Sequence, residues 1–242
     1  KHFNYPVFLN ADHYKSFEKC KEAIDAGYDS ILIDGSKLPH HENIAVTKQV
    51  VEYAQSVNAD ISVEGELGYL RGESKIQKEK IVVSPEDYTN PEEASEFVER
   101  TGVDRLAIAV GNIHGISLEE PDLDIERIRA IRKAVPEEVA LVLHAGSGIP
   151  DDQIKAAIKA GIANIHINTE LRVAYADALK KTLAQDLDEV AMYKLDASAL
   201  EAMKKLVKEK LQLFGAKDRI WGMQQFQQLL REIDGLFVAY RA

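Results

Sequence analysis

Cysteine is almost absent from this 242-residue chain: Cys20 is the single one, so no internal disulfide can form, and the usage fits a reducing compartment. Long apolar runs are missing too. None approaches the roughly 18 residues of a membrane-spanning helix, and the first residues carry no signal-peptide pattern, so a cytoplasmic protein with no membrane partner is expected. Positive charge is also scarce. With 30 Lys and Arg against 40 Asp and Glu the net charge is −10, which argues against non-specific binding to nucleic acid or anionic lipid but allows a local pocket for a small phosphate. What is present in quantity is apolar residues, at 45%, enough for a full core in one α/β domain.

Strand and helix signals alternate along the chain. Val7–Asp12, Ser30–Asp34, Ile61–Glu66, Asp104–Val110, Ala140–His144 and Asn164–Thr169 read as strands. Helices are expected at Ser16–Ala26, Ile44–Val57, Leu123–Ala134 and Asp151–Ala160. Another starts at Asn90-Pro91-Glu92-Glu93 (an Asn cap, then Pro at the first helical position) and runs to Gly102. Leu70–Tyr88 is polar, without a clean period, and reads as a long loop. A helical C-terminus follows from Leu171, interrupted near Lys194–Ala197 and Gly215, and Trp221–Ala242 reads as an extra amphipathic helix. Repeated βα units predict a parallel sheet. Six strands are counted where a closed (β/α)8 barrel has eight, so either the first two βα units are missing from this chain or the sheet is open or completed by a partner. Residues 1–215 are expected to form this domain and 216–242 a helical extension.

Three histidines, His13, His114 and His144, sit at or just beyond strand ends, as a metal or catalytic cluster would on a parallel sheet. Asp12 precedes His13 and pairs a proton-transfer group with a metal ligand. Gly111-Asn112-Ile113-His114-Gly115 surrounds a histidine with glycines that permit close backbone approach. His144-Ala145-Gly146-Ser147-Gly148 lies between a strand and a helix, where free N–H groups suit a phosphate, although such a turn is often no more than a turn. Alternation aims His166 and Asn168 to one side of their strand, and Glu64 and Glu66 to one side of theirs; Asp34 ends another strand. His2, His40 and His41 lie in polar contexts and read as surface residues. No lysine is placed at a strand end to form a Schiff base.

The segments Asn10–Pro39, Glu42–Ala54, Val63–Gly68, Tyr88–Asp104, Gly111–Gly115, Leu143–Ile162 and Ile167–Leu171, in that order and spacing, resemble the class II fructose-bisphosphate aldolase family, which includes tagatose-bisphosphate aldolases. The resemblance implies a (β/α)8 barrel in which His13, His114 and His144 bind one catalytic Zn2+, with Asp34 and Glu66 at a second or alternative metal position. It implies Asp12 as the group exchanging a proton with the substrate hydroxyl. Gly115, Ala145, Gly146, Ser147, His166, Ile167, Asn168 and Thr169 would hold dihydroxyacetone phosphate. The implied reaction is reversible cleavage of a ketose 1,6-bisphosphate to dihydroxyacetone phosphate and glyceraldehyde 3-phosphate, in a homodimer or homotetramer. This chain also departs from the family pattern. Ala145 replaces a glycine, His166 replaces an asparagine, and no lysine follows Gly115 in Ile116–Glu120. The mobile-loop acid is matched only by Glu73, in Arg71-Gly72-Glu73-Ser74. Two other readings stay open: a barrel of this family acting on another phosphorylated sugar, and a non-catalytic member.

Overall fold

A computed structural model describes residues 7–215, which fall into two compact units, Val7–His166 and residues 167–215. The first unit runs β1 (Asn10–Tyr14), α1 (Phe17–Asp25), β2 (Ser30–Ile33), α2 (His40–Val57), β3 (Ser62–Leu67), β4 (Gly72–Ile76), a 3-10 turn (Pro85–Asp87), α3 (Pro91–Thr101), β5 (Arg105–Ile108), β6 (His114–Ile116), α4 (Ile125–Ala134), β7 (Ala140–Leu143), α5 (Asp151–Ala160) and β8 (Ile162–Ile165). Six strands pair in the order β1-β2-β3-β5-β7-β8, all parallel. The fold is therefore an open arc of the (β/α)8 barrel pattern, of which the described residues supply six strands.

Local chemistry sets the helix boundaries. Asn90 Oδ1 accepts from Glu92 N at 2.8 Å and Glu93 N at 3.1 Å, Pro91 opens α3, and Gly102 closes it at φ +71°. Ser16 caps α1 through Lys19 N. Period-two alternation then separates two faces of each strand. Ile31, Ile33, Val63, Leu106, Leu141 and Leu143 are buried on one face. On the other, Asn10, Ser30, Glu64 and Arg105 are joined by side-chain hydrogen bonds or ion pairs. Gly65 belongs to the apolar face because Phe97 of α3 packs on it: a Cβ at Gly65 would lie 2.5 Å from Phe97 Cε1.

Two expectations change here. The strand read over Asp104–Val110 stops at Ile108; Gly111, at φ +107°, turns the chain where a side chain would meet the Asp122 carbonyl at 2.5 Å. His114 instead opens β6, which pairs in parallel with β4 inside the segment read as a loop. A polar strand with one short partner leaves little periodic signal.

In the second unit, α6 (Thr169–Gln185) and α7 (Met192–Leu213) pack together. Lys210 near the end of α7 reaches Glu170 in the first turn of α6 at 2.7 Å, so the helices run antiparallel. The break between them falls at residues 186–191, whereas Lys194–Ala197, expected to interrupt the helix, lies within α7. The helix expected at Trp221–Ala242 lies outside the described residues. Among the described residues no helix is long and apolar enough to cross a membrane.

Phe97 is fully buried, so Phe97→Ala should cost about 3–5 kcal/mol, measured from urea unfolding midpoints. Gly65→Ala should cost about 1–3 kcal/mol by overpacking, and much less in the Phe97→Ala background, where the ring it strikes is gone.

Candidate metal centre

The inward alternation of β3 and β7 continues past the strands into a cluster of charged side chains. Glu64 is fully buried, and His144 Nε2 donates to its Oε1 at 2.6 Å. Arg105 Nε lies 3.4 Å from Glu64 Oε2. Burial opposes charge on Glu64, but the His144 hydrogen bond and the nearby Arg105 guanidinium outweigh it and hold the carboxyl below its usual range. With Nε2 committed to Glu64, Nδ1 is the nitrogen through which His144 would coordinate a cation.

The three expected histidines converge. The rings of His13 and His144 have centroids 4.7 Å apart, and those of His13 and His114 5.2 Å. A fourth, His166, lies with its ring centroid 4.0 Å from that of His144, the two planes inclined at 51°. His13 Nδ1 lies 3.2 Å from Asp34 Oδ2 and 3.4 Å from Glu66 Oε2. Burial disfavours a charged His13, but these two carboxylates reverse the effect and raise it to about 10. Burial instead dominates at His114, which with the charges of His13 and His144 nearby is pushed down to about 4, leaving a neutral imidazole. Asp12, whose side chain is half-exposed, has its Oδ1 3.5 Å from His166 Nδ1. Burial would raise Asp12; the His166 interaction and the other imidazoles pull it down to about 2. Asp34 is likewise held low, against its burial, by His13 and by Ser36 Oγ at 2.6 Å.

This donor set fits a divalent ion. Asp12, His144 and His166 present ligand atoms within 4.8 Å of one another, and so do His13, Asp34 and Glu66. Glu66 Oε2 is buried without a hydrogen bond, an acceptor that a cation would satisfy. Imidazole nitrogens mixed with carboxylate oxygens suit zinc, cobalt or iron. The backbone bends at the cluster: His13 (φ 53°), within β1 where its register with β2 shifts, and Ala145 (φ 57°), just after β7, adopt the left-handed conformation that side chains disfavour.

The other expected site residues are more dispersed. Gly72 pairs with His114, and Gln77 Nε2 donates to both the Glu73 and His114 carbonyls, at 2.7 and 2.9 Å. Glu73 therefore shares the two-strand ribbon of His114, but its side chain is 74% exposed and pairs with Lys75 Nζ at 2.7 Å. Gly115 follows His114 at φ +101°. Ala145, Gly146 and Ser147 form the turn after β7, tied to the cluster by Gly146 N donating to the His166 carbonyl at 2.9 Å. Ile167, Asn168 and Thr169 belong to the second unit, where Thr169 is the first residue of α6. His41 is exposed, as expected. His40 is half-buried, with its ring 6.3 Å from that of Phe97, because it opens α2 against α3; His2 lies outside the described residues. Burial pushes the Cys20 thiol up to about 12, which removes it as a nucleophile.

Sequence reading missed Arg105 and gave Glu64 no role of its own. The available signal was parity: both occupy positions that register places opposite each other on the polar face of β3 and β5. It also missed Glu120, which crowds the phosphate-type turn so closely that a Cβ on Gly148 would lie 2.5 Å from its Oε1.

The family model described as class II fructose-bisphosphate aldolase matches residues 1–219. The chain belongs to this family. It is accordingly a carbon–carbon lyase of the class II aldolase type. A fructose-bisphosphate aldolase of Staphylococcus aureus (strain Mu50) is 43% identical over 214 residues, covering 88% of this chain and 72% of that protein. Among solved structures, the YdjI aldolase of Escherichia coli K12 superposes with a TM-score of 0.72 at 37% identity, over 90% of this chain and 72% of that one. A putative fructose-1,6-bisphosphate aldolase of Coccidioides immitis gives 0.76 at 29% identity, over 89% and 74%.

Glu64→Gln should weaken Zn2+ binding about 10- to 100-fold in chelator competition, because the amide cannot hold His144 as the carboxylate does. Unchanged affinity would mean that Glu64 does not support this ligand.

Proposed function

We propose that this chain reversibly cleaves fructose 1,6-bisphosphate, or its tagatose counterpart, to dihydroxyacetone phosphate and glyceraldehyde 3-phosphate, with Zn2+ held by His13, His114 and His144. The observation that carries this reading is the convergence of those three imidazoles beside Asp12, within a class II aldolase chain. A bound divalent ion supplies Lewis acidity: it draws electron density from the ketose carbonyl and offsets the negative charge that develops as the neighbouring carbon–carbon bond breaks.

The protein residues divide the remaining work. In the cleavage direction Asp12, ionised and next to His13, takes the proton from the hydroxyl that becomes the aldehyde. Glu73, brought in from solvent and away from Lys75 with its ribbon and carrying a proton taken up there, gives that proton to the carbon left behind and is left as the carboxylate. Asp34 and Glu66 provide a second or alternative metal position and keep His13 oriented. Gly115 and the turn of Ala145, Gly146 and Ser147 approach the ketose phosphate with backbone N–H groups, and His166 takes the substrate-contacting place of the family's asparagine. The active assembly is a homodimer or homotetramer.

A second reading, turnover of a different phosphorylated sugar, is favoured by two residues: His166, and Glu120, whose carboxylate adds negative charge beside the turn that would take the phosphate.

Release of glyceraldehyde 3-phosphate, followed with a coupled dehydrogenase, should be abolished by chelator and restored by Zn2+. Asp12→Asn should lower kcat about 100-fold or more while the metal content of the protein stays the same. Chelator-resistant turnover would overturn the reading, and turnover of other phosphosugars alone would favour the second one. Glu120→Gln should lower KM for the bisphosphate about fivefold, by removing a carboxylate from beside the phosphate, with less effect at high salt.

A further inference from the structure

The β4–β6 ribbon is held at a single junction, and Arg71 stands at its centre. Between β3 and α3 the chain runs out through β4 and back through the 3-10 turn Pro85–Asp87, and the two legs are tied where they begin and end. Tyr69 N donates to the Asp87 carbonyl at 2.8 Å, and a Cβ on Gly68 would lie 2.7 Å from the same oxygen. The Arg71 side chain then crosses between the legs. Its Nε donates to Asp87 Oδ2 at 2.5 Å and its Nη2 to Oδ1 at 3.0 Å, a two-pronged grip. The Arg71 carbonyl accepts from His114 N at 2.8 Å, which ties the junction to the first residue of β6. Two positions beyond Arg71 stands Glu73.

This pair differs from an ordinary surface salt bridge. The Asp87 side chain is only 7% exposed, and its Oδ2 also accepts from Ser84 N at 2.7 Å. Burial opposes charge on Asp87, but the Arg71 guanidinium and the Ser84 N–H outweigh it and hold the carboxyl below its usual range. An exposed pair breaks at little cost; Asp87 cannot release its guanidinium without leaving a buried charge unpaired.

We propose that the Arg71–Asp87 pair is the fixed pivot of the ribbon and a positioning pair for Glu73, setting where its carboxyl group meets the substrate carbon. The proposal rests on the aldolase reading above. In this role Arg71 touches neither substrate nor metal; it acts through the direction in which the ribbon points. The junction stays closed while the ribbon beyond it moves as one body, because Gln77 Nε2 joins the Glu73 and His114 carbonyls. Displacing a reacting group by about 1 Å is worth about 100-fold in rate, so the angle at the pivot matters. Lysine at position 71 would keep a positive charge for Asp87 but replace a planar fork with a single ammonium, which balances the charge without fixing that angle.

The test follows the step assigned to Glu73 in isolation. Dihydroxyacetone phosphate alone is incubated in D2O with the Zn2+-loaded full chain. The Glu73 carboxylate takes a proton from the carbon beside the carbonyl, and the electron pair left behind moves onto the carbonyl oxygen. The acid exchanges its proton with solvent and returns a deuteron, so loss of the proton NMR signal gives the rate. Arg71→Lys should slow this exchange about tenfold and Glu73→Gln about 100-fold. The Arg71→Lys/Glu73→Gln chain should be no slower than Glu73→Gln alone, since an acid already absent cannot also be misplaced. Asp87→Asn, which keeps an acceptor for Ser84 N and buries no unpaired charge, should match Arg71→Lys. Circular dichroism and metal content check that each variant is folded and loaded. A merely structural pair would slow the double variant by the product of the two single effects. That product, or unchanged exchange in folded Arg71→Lys and Asp87→Asn, would overturn the pivot and leave the aldolase reading standing. A loaded wild type that neither exchanges this proton nor cleaves a ketose bisphosphate would overturn the aldolase reading, and the positioning role with it.

Discussion

Glu64 carries its charge where water does not reach, and much of the inner face of the sheet is arranged around that fact. An unpaired carboxylate at such a position costs several kcal/mol, so it persists only with cationic or donor partners on more than one side. Arg105 comes from the next strand in register, and His144 from the strand beyond. The two partners do different things. Arg105 ties Glu64 down to the polar floor of Asn10 and Ser30. His144, once its Nε2 is spent, can present only its other nitrogen to the centre of the cluster. A single buried acid thus sets both the position and the tautomer of a candidate metal ligand.

The rest of the cluster follows the same electrostatic logic with less burial. Asp34 and Glu66 need a positive partner, and the protonated His13 ring supplies it; a metal ion binding at His13 would have to displace that proton, which would couple binding to proton release. His114, by contrast, is already neutral and needs no such exchange. Left-handed backbone at His13, where the register of β1 with β2 shifts, and at Ala145, just after β7, lets side chains from separate strands meet. In this chain that conformation at position 145 is borne by a residue with a side chain, which marks how firmly the surrounding turn holds it.

How much of this was legible in the amino-acid sequence depends on whether a feature is local. Asn90-Pro91 and Gly102 announce α3 because caps act over a few residues, and α5 coincides with its predicted span. Strand-end histidines and the inward parity of Glu66 and His166 could be read because a two-residue period survives without knowledge of neighbours. Pairing could not. β4 and β6 are short, polar and 37 residues apart where Gln77 joins them, so nothing nearby in the sequence signals their contact. The partnership of Arg105 with Glu64 depends on register between strands separated by a whole helix, and the crowding of Gly148 by Glu120 on two loops meeting. The sequence resemblance found the right family; it could not say that the ring of a fourth imidazole lies 4.0 Å from that of the third.

The ribbon formed by β4 and β6 has a mechanical meaning beyond its hydrogen bonds. One strand begins with a residue of the buried cluster, His114, and the other carries an acid out in solvent, Glu73, while the Gln77 amide rivets the two backbones together. At Gly72 and Gly115 the strands approach so closely that neither could bear a side chain without pushing the other away. The pair therefore behaves as one lever with its short arm in the site and its long arm outside. A pull on either end is felt at the other, so whatever settles onto the exposed arm also adjusts the seat of the His114 imidazole.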